Sequence, residues 1–229
     1  MIEVKEVVKK FGRKKVLNGV SFTAKKGEIT CIVGINGVGK TTILNAIMGL
    51  TPINSGEILI DGKKLSKKSY ENITFIPDAI TMLPQMKISE AMKFMNDFYD
   101  CWDEERADEL LHFFKLKRED RISGLSKGNV AKANLMLGMA MDVNYLLMDE
   151  PFSGIDLFSR EHIAEAFTSH LVEDRGVLIT THEIHDIEHL IDHVVMLDEG
   201  NVIKTFDADE IREEEGKSVV DVMREVLHR

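Results

Sequence analysis

The segment Gly34-Ile-Asn-Gly-Val-Gly-Lys-Thr41 is the most informative part of this sequence. It lies between an apolar run, residues 29–33, and a stretch suited to a helix, residues 41–48. Glycines let backbone N–H groups approach phosphate oxygens because no side chain intervenes, which explains the residue type at Gly34, Gly37 and Gly39. The pattern therefore predicts a loop that binds the phosphates of a nucleoside triphosphate at the start of a helix.

Two side chains of this loop have specific roles in such a site. Lys40 would supply a cation to the β- and γ-phosphates, and the Thr41 hydroxyl would be a ligand of Mg²⁺. A glycine-rich turn without a ligand is the alternative, but the strand before the loop and the helix after it both favour phosphate binding. The nucleotide-binding residues expected here are Asn36, Gly37, Val38, Gly39, Lys40, Thr41 and Thr42.

Composition limits what the rest of the chain can do. The 229 residues carry 39 acidic and 29 basic side chains, a net charge of −10, and such a surface repels a nucleic acid. The densest cationic stretch, residues 9–15, is typical of a solvated hairpin. Two cysteines are too few for a disulfide framework, which fits a reducing cytoplasm. The negative net charge leads us to expect no nucleic-acid binding. Since no apolar stretch reaches membrane-spanning length, we also expect no direct membrane insertion.

Strand and helix signals alternate along the chain and predict a single α/β domain, residues 1–229, with a largely parallel core sheet. Strands are expected at 2–8, 16–23, 29–33, 56–62, 73–76, 145–148, 177–180, 194–197 and 202–205, with helices at 159–172 and 183–191. Helical periodicity predicts an inserted helical subdomain over 78–142. A helical tail, 207–229, should dock on the domain, or contact another protein, through the apolar face of Val219, Val220, Met223, Val226 and Leu227.

A second part of the nucleotide site is indicated by Tyr145-Leu-Leu-Met-Asp149-Glu150, an apolar strand that ends in two carboxylates. Asp149 can hold Mg²⁺ through water, because this small cation keeps several waters and takes few protein ligands. Glu150 is placed to orient or deprotonate the water that attacks the γ-phosphate. Together with the phosphate loop, this strand predicts a site that hydrolyses the nucleotide.

A second anion site is predicted at Leu125-Ser-Lys-Gly-Asn129, which opens a helix at residues 130–141. Its backbone amides and the Ser126 hydroxyl would lie at the positive end of that helix. Since one nucleotide already has a phosphate loop, this segment makes sense if it serves a nucleotide held mainly by another copy of the chain.

At this point the chain resembles the ATP-binding cassette family, whose signature Leu-Ser-Gly-Gly-Gln is matched at Leu125, Ser126 and Gly128. The resemblance covers essentially the whole chain and implies the phosphate-loop NTPase fold: a mixed sheet with helices, an antiparallel edge and an inserted helical subdomain. It also implies that the signature contacts ATP bound by the partner cassette through Ser126, Lys127, Gly128 and Asn129.

Further segments match other motifs of this family. Pro151-Phe-Ser-Gly-Ile-Asp156 resembles the dimer-contact loop, which implies contacts by Ser153, Gly154 and Asp156. His182, in Thr180-Thr-His-Glu, resembles the switch histidine that contacts the γ-phosphate. The resemblance thus implies three catalytic residues, which are Lys40, Glu150 and His182.

The adenine and metal contacts also come from the resemblance. Phe11 lies 29 residues before Lys40, which matches the aromatic residue that stacks on adenine, and Val16 would be a second contact. Asp78 stands where the family carries the glutamine of its Q-loop, and Gln85 is the alternative source of an amide. The implied metal ligands are Thr41, Asp78 and Asp149. Lys127 and Asn129 depart from the signature glycine and glutamine.

Three other features have two interpretations each. His185 and His189 are one helical turn apart, a spacing that can bind zinc, but a solvated helix face is favoured because no complete zinc motif is present. The methionine-rich stretch 135–141 favours core packing over a soft ligand site. The aromatic residues of 86–102 either fill the core of the helical layer or form a docking surface for a partner, namely Phe94, Phe98, Tyr99 and Trp102.

The resemblance implies the ATP-binding and ATP-hydrolysing subunit of an ABC transporter, of the single-cassette bacterial exporter type. Such a subunit uses ATP and Mg²⁺, and it dimerises with a second copy or a paired cassette to drive a separately encoded integral membrane subunit. Its location would be cytoplasmic, peripheral at the inner face of the cell membrane. A cytosolic cassette acting on nucleic acid or ribosomes is the alternative, and the acidic single cassette counts against it. A small-molecule kinase would leave Leu125–Asn129 and His182 unexplained.

Overall fold

The computed structural model describes residues 1–168, 174–182, 184–185 and 187–227, with the side chains of all of these except residues 168 and 227. Its strands are β1 (Ile2–Phe11), β2 (Lys14–Ala24), β3 (Ile29–Val33), β4 (Ser55–Ile60), β5 (Lys63–Lys64), β6 (Ile73–Ile76), β7 (Tyr145–Asp149), β8 (Gly176–Thr181), β9 (His193–Asp198) and β10 (Asn201–Asp207). Its α-helices are α1 (Lys40–Ile47), α2 (Ile88–Phe98), α3 (Glu104–Phe113), α4 (Lys127–Met139), α5 (Leu157–Thr168), α6 (Ala208–Glu215) and α7 (Val219–Leu227). Short 3₁₀ turns occur at Lys67–Glu71, Ile122–Gly124 and Glu188–Leu190.

The central sheet has six strands in the order β10-β9-β3-β8-β7-β6. All neighbours from β9 to β6 pair in parallel, and β10 adds an antiparallel edge. Every residue of β7 and β8 is buried, because helices and a second sheet cover the two faces. Since β8 lies between β3 and β7, the loops that follow these three strands meet at one edge of the sheet.

A second sheet, antiparallel with the strand order β2-β1-β4-β5, carries the hairpin between β1 and β2. Alternate residues of β3 point to opposite faces of the central sheet and join different hydrophobic cores. Ile32 packs with α1 and the antiparallel sheet, whereas Cys31 and Val33 pack with the helices on the other face. The phosphate loop therefore follows a strand that is packed on both faces.

Helices α2, α3 and α4 form a layer beside the central sheet, within the segment 78–142 that we propose as the helical subdomain. Its core includes the methionine-rich stretch, where Leu135, Met136, Met139 and Met141 are at most 3% exposed. These side chains fill the interior, and Leu137 and Met141 also line a groove of about 810 Å³ beside the helical layer. The structure thus agrees with the core-packing interpretation of 135–141.

The segment 183–191 departs from the expected helix. Among its described residues, helical structure is limited to the 3₁₀ turn Glu188–Leu190. Tertiary contacts explain the difference, because the carbonyl of Glu188 accepts from Arg212 and its carboxylate accepts from the Val219 N–H at 2.6 Å. These contacts outweigh the local helical pattern. The i, i+4 geometry assumed for His185 and His189 is therefore wrong.

Other boundaries follow the expected elements closely. The helix predicted at 159–172 begins at Leu157 and is described to Thr168, and residues 169–172 lie outside the described part of the chain. In the proposed tail, 207–229, Val219 and Val220 are buried and Met223 and Val226 are partly buried against the larger core. The predicted contact of Leu227 lies outside the described side chains. No helix among the described residues is long and apolar enough to cross a bilayer.

Candidate active site

The phosphate loop has a backbone that only glycine adopts readily. Gly37 and Gly39 have φ angles of 81° and 117°, in the left-handed region. Gly34 has a different reason, since a Cβ there would lie 2.3 Å from the carbonyl oxygen of Leu197. Gly39 is also the N-cap of α1, where no side chain caps the first turn. The amides of this helix end are thus arranged for an anion.

Lys40 is buried at the base of the loop, with only 5% of its surface exposed. Its Nζ donates to the Gly34 carbonyl oxygen at 2.8 Å and lies 3.1 Å from Oε1 of Glu150. A cleft of about 200 Å³ opens above this pair and is lined by Asn36, Gly37, Gly39, Lys40, Thr41, Thr42 and Glu150. The structure therefore brings most of the predicted phosphate-loop residues together with Glu150. Val38 is buried behind them.

Asp149 ends β7 in a nearly dry position, 3% exposed. Its Oδ1 accepts a hydrogen bond from the Thr180 hydroxyl at 2.6 Å, and the Thr41 side chain also hydrogen-bonds to it. Burial raises the pKa of Asp149, as do the charges of Asp78 and Glu150, whereas the two threonine hydrogen bonds oppose the shift. The ionised form of this carboxylate is therefore disfavoured by burial, and a bound cation would stabilise it.

The same donor set fits Mg²⁺. A buried carboxylate beside a threonine hydroxyl offers the hard oxygen ligands that this ion prefers, and it leaves most positions to water and phosphate oxygens. No cluster of three or more His, Cys, Asp and Glu side chains suited to a metal occurs within residues 1–168, 174–182, 184–185 and 187–227.

Glu150 connects two other predicted catalytic residues. Its Oε2 lies 2.8 Å from His182 Nδ1, while Oε1 faces Lys40 at 3.1 Å. Its backbone has φ of 48° and its N–H donates to the Thr180 carbonyl oxygen at 3.0 Å. A left-handed backbone is costly for a residue with a Cβ and is typical of functional sites. The structure thus fixes the Glu150 carboxylate between the ends of three strands.

Thr180 is a site residue whose role the sequence analysis missed. It lies in β8 and contacts both carboxylate-bearing residues, Asp149 through its hydroxyl and Glu150 through its carbonyl oxygen. The sequence signal was the pair of hydroxyl residues, Thr180 and Thr181, that ends the apolar run 177–179. Its function becomes visible once β8 is placed beside β7.

The predicted signature forms the N-terminus of α4. Ser126 is the N-cap, and its side chain accepts from the Asn129 N–H at 3.3 Å. Gly128 is buried where α4 meets the start of α5, since a Cβ there would lie 2.6 Å from Ser159 Oγ and 3.2 Å from Asp156 Oδ2. The signature therefore packs on the predicted dimer loop, in which Ser153, Gly154 and Asp156 are exposed.

A hollow of about 350 Å³ joins Asp78, Lys127, Ser153 and Gly154 on one surface. None of the residues 126–129 lines the cleft at Lys40. The two predicted anion sites of the chain are thus separate in one copy. Asp78 is close enough to Asp149 to raise its pKa. Gln85, the alternative to Asp78 as the Q-loop residue, accepts a hydrogen bond from Arg121 through its backbone carbonyl.

Of the two predicted adenine contacts, Val16 lies beside the phosphate loop. Phe11 is 53% exposed at the end of β1, and Lys9 Nζ lies 4.6 Å from the centre of its ring. Val16 approaches the loop directly, because its carbonyl oxygen would lie 3.2 Å from a Cβ at Gly39. Phe11 is not among the residues that line the cleft at Lys40, so its stacking on adenine, which needs an exposed ring face, stays a prediction.

A larger groove of about 810 Å³ lies beside the helical layer, away from the phosphate loop. Exposed apolar side chains line it, among them Leu50, Tyr70, Leu83, Phe94 and Tyr99. Phe98 is 70% exposed and its ring centre lies 4.6 Å from that of Phe94. Trp102 differs from these, since it packs against the core and donates Nε1 to Glu104.

Comparisons with known proteins agree with this geometry. The ABC transporter family model matches residues 17–153. YtrB, an ABC transporter ATP-binding protein of Bacillus subtilis (strain 168), is 31% identical over 217 residues, which cover 93% of this chain and 74% of YtrB. The linearmycin resistance ATP-binding protein LnrL of the same organism is 32% identical over 211 residues, 89% of this chain and 68% of LnrL. A solved ATP-binding subunit of an ABC transporter superposes with a TM-score of 0.88 at 26% identity, covering 99% of both chains.

Proposed function

This chain belongs to the ABC transporter family as an ATP-binding and ATP-hydrolysing subunit, and on that basis we propose that two copies close head to tail around two ATP molecules. Each ATP would be held by residues 34–42 of one copy and residues 126–129 of the other. A paired, non-identical cassette could take the place of the second copy. Closing and opening of the pair would drive a separate integral membrane subunit.

One observation carries this proposal. The signature residues 126–129 form a helix N-terminus suited to an anion, yet they do not line the cleft at Lys40 of their own chain. Each chain has two half-sites, residues 34–42 and residues 126–129, and a complete site forms where the first half-site of one chain faces the second half-site of the other. The exposed Ser153, Gly154 and Asp156 lie at the start of α5 against the signature, where such an interface would form.

Binding of ATP would use the first half-site. The amides of Gly37 to Lys40 surround the phosphates, and Phe11 stacks on adenine with Val16 as a second contact. The Lys40 ammonium has three N–H donors, so it can keep Gly34 and Glu150 and still donate to a phosphate oxygen. Asn36, Val38 and Thr42 complete the loop around these groups.

Mg²⁺ would neutralise charge on the β- and γ-phosphate oxygens, held by the Thr41 hydroxyl and, through water, by Asp149. Thr180 keeps Asp149 oriented for this role through the 2.6 Å hydrogen bond. Asp78 adds a further carboxylate near the same position and is the third proposed metal contact.

Hydrolysis would depend on Glu150 as the base that takes a proton from the attacking water. Its carboxylate is oriented from two sides, by Lys40 and by His182. His182 would also contact the γ-phosphate. Once that phosphate leaves, the partner's Ser126 helix end loses its anion and the pair opens.

The membrane subunit would dock in the 810 Å³ groove beside the helical layer. An exposed apolar groove of this size is a typical protein-contact site, and its residues adjoin the segment that contains Asp78. We propose export as the direction of transport, which fits the relative LnrL, a linearmycin resistance ATP-binding protein. The subunit would then be cytoplasmic and bound to the inner face of the membrane through its partner.

The dimer is tested by ATPase activity per chain as a function of protein concentration. Activity per chain should rise with concentration and then reach a plateau, since only pairs have complete sites. A constant value across dilutions at which light scattering shows only monomers would overturn the proposal.

The docking groove is tested by co-expression with a candidate membrane subunit encoded nearby. Leu83→Glu, in the groove and 64% exposed, should abolish co-purification. Ile203→Glu is the matched control, because Ile203 is an exposed apolar residue on β10, outside the groove. Equal loss in both variants, or in neither, would contradict the groove as the docking site.

A further inference from the structure

The Arg175 side chain is buried at the C-terminal end of α4. It is 7% exposed, and its Nη1 donates to the carbonyl oxygens of Met139 at 2.9 Å and Met141 at 3.2 Å. Carbonyls at the end of a helix have no partner within the helix, and a cation there also interacts favourably with the helix dipole. Arg175 therefore closes the end of α4 that is opposite Ser126.

Charged groups surround this contact. Burial lowers the pKa of Arg175 to about 10, and Arg106 acts in the same direction, whereas Asp142 and Asp103 oppose it. The Asp103 N–H donates to the Ala140 carbonyl oxygen at 3.0 Å, so the start of α3 meets the same helix end. The end of α4 is thus fixed by polar contacts of defined geometry.

The backbone of Arg175 belongs to the nucleotide-binding sheet. Its carbonyl oxygen accepts from the Gly27 N–H at 3.0 Å, and the N–H of the next residue, Gly176, donates to Asn144 at 2.9 Å. Gly176 opens β8, which pairs with both β3 and β7 and ends beside His182. One residue thus joins the rear of α4 to the strand that supports the switch.

Because α4 is long, a small change of its tilt at the Arg175 end moves the Ser126 end by several ångströms. A helix of 13 residues is about 20 Å long, so a tilt of about 10° at the Arg175 end would move Ser126 by about 3 Å. A shift of that size exceeds the tolerance of a hydrogen bond. The orientation of α4 therefore decides whether Ser126 meets a nucleotide on a facing chain.

We propose that Arg175 is a positioning residue that fixes α4 against the nucleotide-binding sheet and so determines where Ser126 meets the ATP of the second copy. The inference rests on the proposed function, because Ser126 acts only on a partner's nucleotide. Arg175 itself touches neither ATP nor the attacking water. Its effect passes through α4 at one end and β8 at the other.

The test compares Arg175→Met, which keeps most of the volume, with Arg175→Lys, which can still donate to one carbonyl. At a temperature where circular dichroism shows both variants folded, R175M should lower kcat by about tenfold, the usual size for residues between coupled sites. ATP affinity of the single chain should stay within about twofold, since no phosphate contact changes. R175K should recover part of kcat. On a Glu150→Gln background, R175M should raise the ATP concentration for half-maximal dimerisation by about tenfold.

Arg212→Met is the matched control. Arg212 also donates to a backbone carbonyl, that of Glu188, but it lies in α6, away from α4. R212M should lower the melting temperature and leave kcat unchanged. If R175M behaves like R212M while E150Q dimerises normally, the positioning role is overturned. A monomeric E150Q in Mg-ATP would instead overturn the head-to-tail proposal and this inference with it. Should R175M fail to fold, R175K decides on the same readouts.

Discussion

The Lys40 ammonium and the Glu150 carboxylate lie 3.1 Å apart, with 6% and 15% of their side chains exposed. This ion pair joins the phosphate loop to the end of β7, and His182 adds a third residue through the same carboxylate. Truncating one partner of a buried pair leaves the other charge unpaired. We therefore expect a substitution of Glu150 that keeps its shape to affect turnover, and removal of the Lys40 side chain to affect ATP affinity.

Glu150→Gln should trap the ATP-bound dimer. The amide oxygen can still accept from Lys40, but it cannot take a proton from water, so kcat should fall at least about 10²-fold. Size-exclusion chromatography with light scattering, in excess Mg-ATP at low salt, should show a dimer, and phosphate release should show little turnover. A variant that remains monomeric under these conditions contradicts a self-sufficient homodimer.

Lys40→Ala should weaken ATP binding itself. It removes the cation that we propose binds the phosphates and leaves Glu150 without its partner, so we expect Kd to rise by about 30-fold or more. Isothermal titration gives the value directly. Lys25→Ala is the control, because Lys25 forms an exposed ion pair with Glu28 and should leave Kd unchanged. Equal affinity in K40A and the native chain would refute the phosphate-loop assignment.

Phe11→Ala should reduce ATP affinity because it removes the stacking contact with adenine, while the phosphate contacts stay unchanged. Loss of one stacking contact costs about 1–3 kcal/mol, so Kd should rise about tenfold, and Phe11→Tyr should retain affinity. Inorganic tripolyphosphate separates the two halves of the nucleotide, because its binding should fall in K40A and stay constant in F11A. Phe98→Ala removes a ring elsewhere that is more exposed, 70% against 53%, and should have no effect. A parallel loss of tripolyphosphate binding in F11A would contradict the stacking role.

Gly128→Ala should disturb the packing of α4 on α5. The added Cβ would lie 2.6 Å from Ser159 Oγ, and overpacking of this kind lowers the free energy of unfolding by about 1–3 kcal/mol. Gly124→Ala is the matched control, since a Cβ there meets nothing within 4 Å. Urea denaturation measures both. Adding Ser159→Ala removes the closest atom and should restore part of the loss, and no restoration would argue against this contact.

Asp149→Asn should stabilise the ligand-free protein while abolishing turnover. Because burial raises the pKa of Asp149, its ionised form costs stability in the fold, and this cost appears as pH rises above the unfolded value of 3.8. The variant should thus melt at a higher temperature than the native chain at pH 7, and the difference should disappear as the pH falls towards 3.8. Differential scanning calorimetry across this range checks the sign. A lower melting temperature at pH 7 would contradict it.

The phosphate loop and the carboxylates of β7 were predictable from sequence because their requirements are local. Gly37 and Gly39 need left-handed φ angles that follow from the loop alone, and the apolar run 145–148 indicates a buried strand that ends at Asp149. The expected helix at 183–191 was wrong for the opposite reason. Its described residues are fixed by contacts with Arg212 and Val219, which no local pattern contains.

Local sequence features specify which groups this protein has for nucleotide chemistry, since backbone preference, strand periodicity and helix ends act over a few residues. How those groups are combined depends on tertiary packing. The order β3-β8-β7 places Thr180 on Asp149 and fixes Glu150 between Lys40 and His182, and the packing of α4 places Ser126 away from its own phosphate cleft. Hydrogen bonds act over about 3 Å, so they depend on which strands become neighbours. That choice is made by the burial of the whole sheet, and no single segment encodes it.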